Sequence, residues 1–420
     1  TRTWAGIYDG VATKNKRWRP LRPPLLTRQQ YGEITDLTAR LAELVLAACQ
    51  RRAATTGELR ERLGVPAGLI EFLDEDAPLT EDLIVAVRPD VLMSGGVPRF
   101  VECNVDSALG GAFDSDGIAR RFLAAYADHE VPVPLAVPES AVDTRFHAMR
   151  DLFALPDGAT SVILFHMGSD YPDTQDGHTL IKLLEPVRDR GRATGLDVVV
   201  HPLEWLTLEG GRLRAGDTVL DTVLRMFIPQ DVPHGAGYDA LVTALDTGAV
   251  RMFTPSATWL LANKATFAWL WEDVDLLSTV DADLVRTHVP FTALLTDAEG
   301  TRARREDLVL KPTGTYGGSG VVVGREVTRE RWDEALGAAM AEGGHIVQEY
   351  VPVDRLAMHF VEVATGAVRE AEVPYCVAPY LFGGRAAGAY LRFAVPDSAS
   401  GSVVNLGQGA LTSGLLLTDG

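Results

Sequence analysis

Residues 307–324 read DLVLKPTGTYGGSGVVVG, and this pattern restricts the fold more than any other part of the chain. The apolar run "LVL" predicts a buried strand that ends at Lys311, and "VVVG" predicts a second strand after the glycines. Between them, Gly317, Gly318 and Ser319 belong to a loop with more glycine than an ordinary turn needs. Strand, glycine loop and strand predict a flexible hairpin whose backbone N–H groups close over phosphates, with Lys311 adding a positive charge.

Two common phosphate-binding motifs do not fit this hairpin. A Walker loop ends in Lys and continues into a helix, and a Rossmann fingerprint also continues into a helix. Here a strand follows the glycines. The remaining alternatives are a hairpin that covers a nucleotide and a structural hairpin with a surface lysine, and the number of glycines favours the first.

Residues 87–111, VRPDVLMSGGVPRFVECNVDSALGG, predict a β-hairpin, because the turn signal SGG separates two apolar runs. We expect a three-residue loop; with Gly96 at its apex, Asp90 lies directly across from Glu102. The alternation along the second strand places three side chains on one face: Phe100, Glu102 and Asn104. Two facing carboxylates repel each other, so we expect a positive group between them.

The composition is that of an ordinary globular protein. The chain has 420 residues, of which 46% are hydrophobic and 23% charged, and its formal net charge is -18. Such an acidic balance, without a dense basic run, predicts no nucleic-acid partner. No apolar run is long enough to span a bilayer and the N-terminus lacks a signal pattern, so we expect no membrane partner and a cytoplasmic location. The three cysteines are too scattered for a disulfide framework or a metal site.

The chain divides into three predicted units. Residues 1–140 form a helical N-terminal segment, followed by the hairpin and by a helix that we expect to be capped by Asp114 or Ser115. The Pro-rich stretch EVPVPLAVPES marks a boundary near residue 140. Residues 141–255 form a substrate domain, and residues 256–420 a nucleotide-binding region.

The substrate domain has the pattern of a βαβ unit. "SVILFHMG", a helix and "LDVVVHPLEWL" follow one another with short loops, which predicts a parallel sheet. His166 lies at the end of the first strand, where such sheets bind ligands, although a packed His explains it as well. Arg225 ends another strand, and either a clamp on an anionic substrate or a structural ion pair accounts for it.

Two further segments suit a nucleotide. "LLANKATFAWLW" places Lys264 at the start of a helix, an unusual position for a cation unless an anion also binds there; a solvated surface lysine is the alternative. The strand in "GHIVQEYVPV" offers backbone groups to an adenine edge, with an acidic residue after it near a ribose. The predicted nucleotide contacts of this segment are Gln348, Glu349, Tyr350, Val351 and Asp354.

Together these segments resemble the ATP-grasp fold. "VLKP" with its glycine hairpin, the "NK" lysine and the "VQEYV" hinge carry the resemblance. The acidic "VECN" precedes them, an order that resembles the circularly permuted branch. "RPD" followed by Glu-x-Asn is similar to glutathionylspermidine synthetase, and "VECN" with the later "DSALGG" to eukaryotic-type glutathione synthetase. "YLFGGRAAGAYLRF" and "VVNLGQGALTSG" are similar to the closing segments of that group.

The resemblance implies a mixed α+β or α/β chain: an ATP-grasp fold in circularly permuted order, with a Rossmann-like substrate domain before it and a helical N-terminal segment. It implies ATP and two Mg²⁺ ions, the first held by Asp90, Glu102 and Asn104, whose hard oxygens suit this metal. Arg88, on the same strand face as Asp90, is expected to stabilise the transferring phosphoryl group. No carboxylate follows "KP" as it does in glutathione synthetase, so the second ion needs another ligand.

The implied activity is ATP-dependent ligation of a small-molecule carboxylate, an amino acid or small peptide, to an amine through an acyl phosphate, with release of ADP and phosphate. Arg385 and Arg392 are candidates for binding the substrate carboxylate, with ordinary ion pairs as the alternative. A small-molecule kinase on the same scaffold and a nucleotide-binding regulatory protein without turnover are the other two hypotheses. A homodimer is expected from the family.

Overall fold

The computed structural model of the protein describes residues 6–9, 11, 15–129, 134–168, 177–396 and 409–419. Part of the predicted closing segment VVNLGQGALTSG, residues 403–408, lies outside the described residues. Strands and helices are numbered along the chain. None of the described helices is long and apolar enough to cross a membrane.

A seven-stranded sheet, here called the large sheet, joins the predicted first unit to strands from the end of the chain. Its strands are β1 (Trp18–Pro20), β3 (Ala86–Ser94), β4 (Val97–Val105), β17 (Arg355–Glu362), β18 (Val368–Phe382), β19 (Arg385–Phe393) and β20 (Leu411–Ser413). The first half of β18 pairs with β17, and the second half pairs with both β3 and β19. The hairpin β3–β4 is therefore fixed by a strand from the far end of the sequence.

The hairpin has the predicted cross-strand pair but not the predicted loop. Ser94 faces Val97, so the loop has two residues, Gly95 and Gly96, with φ of 58° and 77°. Positive φ at both positions is the type I′ turn that suits the twist of a hairpin. A β-bulge then shifts the register between Asp90 and Val91, and this shift places Asp90 opposite Glu102.

Because of the bulge, the side chains of β4 do not alternate between the two faces of the sheet as predicted. Val91 faces Phe100 and Asp90 faces Glu102, so one residue of β4 has no opposite partner. Phe100, Cys103 and Val105 are buried in one hydrophobic core, while Glu102 is not. The expectation that Phe100 shares a face with Glu102 and Asn104 is wrong, because the extra residue reverses the alternation.

A four-stranded parallel sheet lies in the predicted substrate domain, with order β12-β11-β6-β7. Its strands are β6 (Thr160–Phe165), β7 (Asp197–Pro202), β11 (Thr222–Arg225) and β12 (Arg251–Phe253). Helix α5, Gly177–Ala193, connects β6 to β7, as the strand, helix, strand pattern predicts. The chain passes from β6 to β7 on one side and then returns past β6 to β11 and β12 on the other side. The direction of winding therefore reverses between β6 and β11, and such sheets bind ligands at the carboxyl ends of the strands at this point.

The glycine loop belongs to a four-stranded antiparallel sheet, here called the lid sheet, with order β13-β16-β14-β15. Its strands are β13 (Thr292–Leu294), β14 (Leu308–Pro312), β15 (Val322–Val323) and β16 (His345–Glu349). Since β14 and β15 are adjacent and antiparallel, the predicted strand, glycine loop, strand hairpin is present. Residues 313–321 between them are called the lid loop below.

The remaining strands form two small sheets. They are β2 (Leu25–Thr27), β5 (Leu135–Ala136), β8 (Leu206–Glu209), β9 (Arg212–Ala215), β10 (Thr218–Val219) and β21 (Leu416–Thr418). The other described helices are α1 (Arg28–Gln50), α2 (Thr56–Arg62), α3 (Ala112–Asp128), α4 (Ala141–Phe153), α6 (Ala236–Asp246), α7 (Thr258–Leu261), α8 (Ala265–Glu272), α9 (Thr279–His288), α10 (Ala298–Ala303) and α11 (Arg329–Glu342).

Two helix starts matter for the site. Helix α1 begins with a capping box between Thr27 and Gln30, and its apolar face packs in the core that includes the hairpin. Helix α3 begins at Ala112 after Gly111, so the expected cap at Asp114 or Ser115 is wrong. Gly111 has φ of 85°, and a Cβ there would lie 2.4 Å from the Tyr390 ring, so both backbone and packing require glycine.

Candidate active site

A cleft lies where the hairpin β3–β4, the lid loop and the carboxyl end of β11 meet. It encloses about 780 Å³, including space open to solvent. Its lining includes Arg88, Glu102, Asn104, Asp106, Leu109, Ile228, Trp259, Asn263, Thr315 and Tyr316. Residues from all three predicted units therefore line one space, and Ile228 lies three residues after Arg225, the last residue of β11.

Asp90 lies beside the cleft in a cationic environment. Its Oδ1 is 2.5 Å from an Nη of Arg392 and 3.5 Å from Nδ2 of Asn104, which also donates to the carbonyl of Arg88 at 3.1 Å. Burial alone would raise the pKa of Asp90, but Arg392 and Arg88 hold the pKa below its usual range. Asp90 is therefore a carboxylate at neutral pH.

Glu102 has a different cation. Its Oε1 lies 3.3 Å from Nζ of Lys264, whose side chain is 5% exposed. Asp90 and Glu102 face each other across the strands, but each has its own basic partner. The repulsion between them is relieved by Arg392 and Lys264, so the facing carboxylates alone do not require a metal ion between them.

The donor set nevertheless suits magnesium bound together with a nucleotide. Asp90, Glu102 and Asn104 offer hard oxygen atoms, and Mg²⁺ is usually held by one or two carboxylates plus substrate phosphates. Among the described residues no group of three or more His, Cys, Asp or Glu could hold a metal ion by itself. A further cleft carboxylate, Asp106, pairs with Arg225 at 2.9 Å and accepts from the amide of Ala108 at 2.7 Å. A dedicated second site for the predicted second ion is thus not evident in the described part of the chain.

Lys311, at the end of β14, points towards the hairpin. Its Nζ donates to Oε1 of Gln348 at 2.6 Å and to the carbonyl of Val101 at 3.2 Å. Gln348 is itself held by a bond to Thr292. Burial lowers the pKa of Lys311 to about 8, and Glu102 only partly offsets this effect. Lys311 is a buried cation held by neutral acceptors, which suits the arrival of an anion.

Lys264 is the N-cap of α8, as the sequence indicates. It is buried, which excludes the alternative of a solvated surface lysine. Its amide donates to the carbonyl of Thr313 at 3.0 Å, and its Nζ donates to the carbonyl of Thr315. Lys264 thus connects Glu102 on the hairpin to the lid loop.

The lid loop reaches across the cleft. Gly317 and Gly318 have φ of 69° and 74°, and Thr315 donates to the carbonyl of Ser319 at 3.0 Å. At the tip, the hydroxyl of Tyr316 donates to Oδ2 of Asp231 at 2.8 Å, in the turn after β11. The predicted glycine residues therefore lie in a loop that covers the site and contacts the parallel-sheet side of it.

In the predicted adenine-binding segment, two backbone N–H groups are already hydrogen-bonded within the protein. The amide of Glu349 donates to the carbonyl of Phe291 at 2.8 Å, and the amide of Tyr350 donates to the carbonyl of Asp307 at 2.7 Å. Val351 is buried. Adenine recognition by these two N–H groups is excluded while the strands remain paired, because each is already bonded.

Asp354, the predicted ribose contact, bonds the hairpin turn in the ligand-free protein. Its two carboxylate oxygens accept the amides of Gly95 and Gly96, both at 2.8 Å, and its own amide donates to the carbonyl of Met93 at 2.7 Å. The carboxylate is therefore occupied by the hairpin turn.

The four predicted catalytic arginines are not brought together. Arg88 lines the cleft and Arg392 pairs with Asp90, but Arg385 is half-exposed and pairs with Asp151 at 2.5 Å. Arg385 lies at the other end of β19, roughly 20 Å from Arg392 at the usual rise of a strand. Arg225 is fully buried with Asp106, the ion-pair alternative that the sequence left open.

Several cleft residues have no strong signal in the sequence. Asp106 was part of the DSALGG segment without a role of its own, and Trp259, Asn263, Tyr316 and Ile228 line the cleft without belonging to a motif. Asn263, Tyr316 and Asp106 lie one or two residues from a predicted contact, which is the only sequence signal for them. Trp259 and Ile228 lack even this signal. His166 packs its ring against Phe227, with Nδ1 3.2 Å from the carbonyl of Met167, as the packing alternative expects.

No protein-family profile and no curated protein matches the sequence. The fold is similar to that of a glutathione synthetase-like effector from Globodera pallida in its apo form: the TM-score is 0.62 at 13% identity, covering 99% of this chain and 96% of that chain. A candidate γ-glutamylcysteine synthetase from Methylobacillus flagellatus KT gives 0.43 at 11% identity over 94% and 89% of the two chains. D-alanyl-alanine synthetase A from Vibrio cholerae gives 0.32 at 13% identity over 57% and 69%.

The first of these likenesses establishes the fold, and the other two are too weak for an argument. The predicted mixed α/β class and the likeness to glutathione synthetase are confirmed at the level of fold. The circularly permuted order, the Rossmann-like character of the substrate domain and the boundaries at residues 140 and 255 stay predictions.

Proposed function

We propose that this protein is an ATP-dependent ligase that joins a small-molecule carboxylate, an amino acid or small peptide, to an amine through an acyl phosphate, with release of ADP and phosphate. The observation that carries this proposal is that two buried lysines, Lys264 and Lys311, lie with Asp90 and Glu102 beside one cleft covered by the glycine-rich lid loop. The fold similarity to a glutathione synthetase-like protein supports the same reaction class.

The lysines are suited to hold phosphates. Lys264 now bonds the carbonyl of Thr315 and lies beside Glu102, and Lys311 bonds Gln348. Each partner is a neutral acceptor or a carboxylate that phosphate oxygens can replace, so both cations remain buried and paired when ATP enters. Arg88, whose Nε has no partner, then faces the transferring phosphoryl group from the cleft wall.

Asp90, Glu102 and Asn104 are the residues that would hold Mg²⁺. When bound, the ion neutralises charge on the phosphate oxygens. The lid loop excludes water from the site, which matters because an acyl phosphate exposed to water is lost by hydrolysis. The amine then displaces phosphate within the same cleft. We expect a cytoplasmic enzyme, and a homodimer stays a prediction from the resemblance.

The test is trapping with hydroxylamine. The protein is incubated with MgATP, hydroxylamine and a panel of amino acids and short peptides, and ADP and hydroxamates are measured by mass spectrometry. A hydroxamate that forms with one class of carboxylate, together with ADP and not AMP, supports the ligase. ADP with a stable phosphorylated product indicates a kinase, and ATP binding without any turnover across the panel indicates a regulatory protein; either result overturns the proposal.

A further inference from the structure

Arg145 is a buried arginine to which the proposed chemistry gives no role. It lies on α4 and is 5% exposed. Its Nη2 donates to the carbonyl of Leu109 at 3.1 Å, its Nη1 lies 3.4 Å from Sδ of Met226, and its guanidinium carbon is 4.9 Å from the centre of the Phe382 ring. It therefore lies where the parallel sheet, the large sheet and the loop 106–111 meet.

No carboxylate of the described residues forms an ion pair with Arg145, and its Nε is buried without a hydrogen-bond partner. Burial lowers the pKa of Arg145; Tyr380, Asp116 and Asp106 oppose this shift, and the nearby charge of Arg88 adds to it. An uncompensated buried cation costs several kcal/mol, and replacing such groups with apolar side chains is often neutral or stabilising. Packing alone therefore does not explain an arginine here.

Arg88 has the same deficit one step closer to the cleft. Its Nη1 donates to the carbonyl of Gly110 at 2.8 Å, the hydroxyl of Tyr380 donates to the same carbonyl at 2.6 Å, and its Nε has no partner. No ion pair of Arg88 occurs in the described part of the chain either. The carbonyls of Leu109 and Gly110 thus accept hydrogen bonds from three side chains: Arg145, Arg88 and Tyr380. Neither arginine forms an ion pair in the described part of the chain.

Leu109 lines the cleft, and this part of the lining is called the cleft floor below. The positive charge of Arg145 lies directly behind it. Inside a protein, where the dielectric constant is low, a charge one residue behind a surface still acts strongly on that surface. The chain as a whole carries a net charge of -18, so the positive charge behind the cleft floor is opposite in sign to that of the whole protein.

We propose that Arg145 is a positioning residue that fixes the loop 106–111 through the Leu109 carbonyl and draws a second anionic group of the carboxylate substrate to the part of the cleft lined by Leu109. The second substrate charge rests on the proposed function; the uncompensated charge at Arg145 does not. The inference names a substrate class, a compound with an anionic group besides the carboxylate that reacts.

The experiment compares Arg145→Met, Arg145→Lys and a matched control, Arg60→Met. Arg60 is also a buried arginine, at 7% exposure, but its Nε donates to Glu75 at 2.8 Å. In urea unfolding of the ligand-free protein, we expect Arg145→Met to be at least as stable as the parent chain and Arg60→Met to be less stable. Loss of a paired arginine leaves a carboxylate alone, whereas loss of Arg145 removes a charge that had no partner.

The binding arm uses succinate as an anionic probe and propionate as its singly charged counterpart, with thermal unfolding as the readout. We expect succinate to raise the melting temperature of the parent chain and of Arg60→Met more than propionate does, and Arg145→Met to lose at least half of this difference, with partial return in Arg145→Lys. Loss of stability in Arg145→Met that matches Arg60→Met, or an unchanged response to succinate, overturns the inference.

A turnover arm separates this inference from the proposed function. If the hydroxylamine assay identifies a substrate, Arg145→Met is expected to raise KM for the carboxylate at least tenfold and to leave KM for ATP within twofold. An unchanged KM for the carboxylate overturns the role of Arg145 while the ligase assignment stands. If the parent chain shows no turnover, the ligase assignment fails. The unfolding and succinate experiments then still test the proposed role of Arg145.

Discussion

Glu102 is the residue whose partner changes most between the ligand-free protein and the proposed complex. It now lies beside Lys264 at 3.3 Å, and Asp90 opposite it lies beside Arg392. In the proposed complex both carboxylates hold Mg²⁺ and Lys264 turns to phosphate. In this proposal Glu102 and Asp90 are ion-pair partners before ATP binds and metal ligands after it binds.

Replacement of Glu102 by Gln is expected to lower the rate of ADP formation roughly 100-fold or more, as loss of a charge that organises the reacting phosphates does. The side chain keeps its size, so the free energy of unfolding should fall by only about 1 kcal/mol. Steady-state ADP release and urea unfolding measure the two quantities. Glu33→Gln, an exposed glutamate of α1, is the control. Full activity of Glu102→Gln would show that the metal assignment is wrong.

The lowered pKa of Lys311 predicts how the free energy of unfolding changes with pH. Burial lowers its pKa from 10.5 to about 8, so between these values the unfolded chain binds more protons at this side chain than the folded chain. Stability then rises with pH in this window, by roughly 3 kcal/mol over the whole shift. We expect the unfolding free energy of the parent chain to increase relative to Lys311→Met from pH 7.5 to 9.5. A constant difference between the two proteins would contradict the lowered pKa.

The hairpin β3–β4 shows which details sequence patterns can and cannot give. The turn signal SGG located the hairpin and the facing carboxylates Asp90 and Glu102 were predicted correctly. The two-residue loop and the β-bulge were not, because their effects on register cancel at Asp90: the shorter loop shifts the pairing and the extra residue restores it. Phe100 and Val101 are both apolar, so the alternation of the sequence contains no trace of the bulge.

Asp354, the predicted ribose contact, shows a related limit of sequence patterns. A carboxylate shortly after a hinge strand fits a nucleotide site by position, but only the fold reveals that the turn at Gly95 and Gly96 lies beside it. Lys264, Lys311 and Glu102 could be predicted as site residues because each belongs to a short local pattern. Arg145 and Asp231 could not, because their contacts join distant parts of the chain.

Asp354→Ala is expected to destabilise the protein by roughly 1–2 kcal/mol, since two amides lose a charged acceptor in a partly exposed turn. KM for ATP should not change. Urea unfolding and ADP-release kinetics measure the two effects. Asp217→Ala, at an exposed position after β9, should leave stability within about 0.5 kcal/mol. A raised KM for ATP with unchanged stability would restore the ribose assignment.

A hydrogen bond from the hydroxyl of Tyr316 to Asp231 holds the tip of the lid loop. Tyr316→Phe and Asp231→Ala each delete the hydrogen bond at the lid tip, which is worth about 0.5–1.5 kcal/mol. We expect hydrogen exchange of residues 313–321 to become roughly 2- to 10-fold faster, and ATP hydrolysis without amide formation to increase, because the lid opens more often.

Tyr238→Phe is the matched control for the lid, because Tyr238 also donates to a carboxylate, that of Glu71, away from the lid loop. It should not alter exchange at residues 313–321. In the double variant of Tyr316 and Asp231 the effect should not exceed that of either single change, since one bond is lost in each case. Additive effects would mean that the two side chains act separately.

At the scale of the whole molecule, elements from three sheets border one cleft, and the proposed nucleotide would contact all three. Saturating MgATP is expected to raise the free energy of unfolding by about 2.7 kcal/mol at 100 times its dissociation constant. Thermal unfolding with MgATP, with ATP plus EDTA, and with Glu102→Gln measures this effect. Most of the gain should need both Mg²⁺ and Glu102. Equal protection by ATP in EDTA would place the nucleotide away from Asp90 and Glu102.

The pairing of β3 with β18 also has a consequence for synthesis on the ribosome. Val91 lies opposite Val377, so the hairpin emerges from the exit tunnel long before the strand that will cover its edge. At roughly 5–20 residues per second, the interval is on the order of tens of seconds. During this time an apolar strand edge is open to any other nascent chain, and we expect the newborn protein to depend on chaperones more than its final stability suggests.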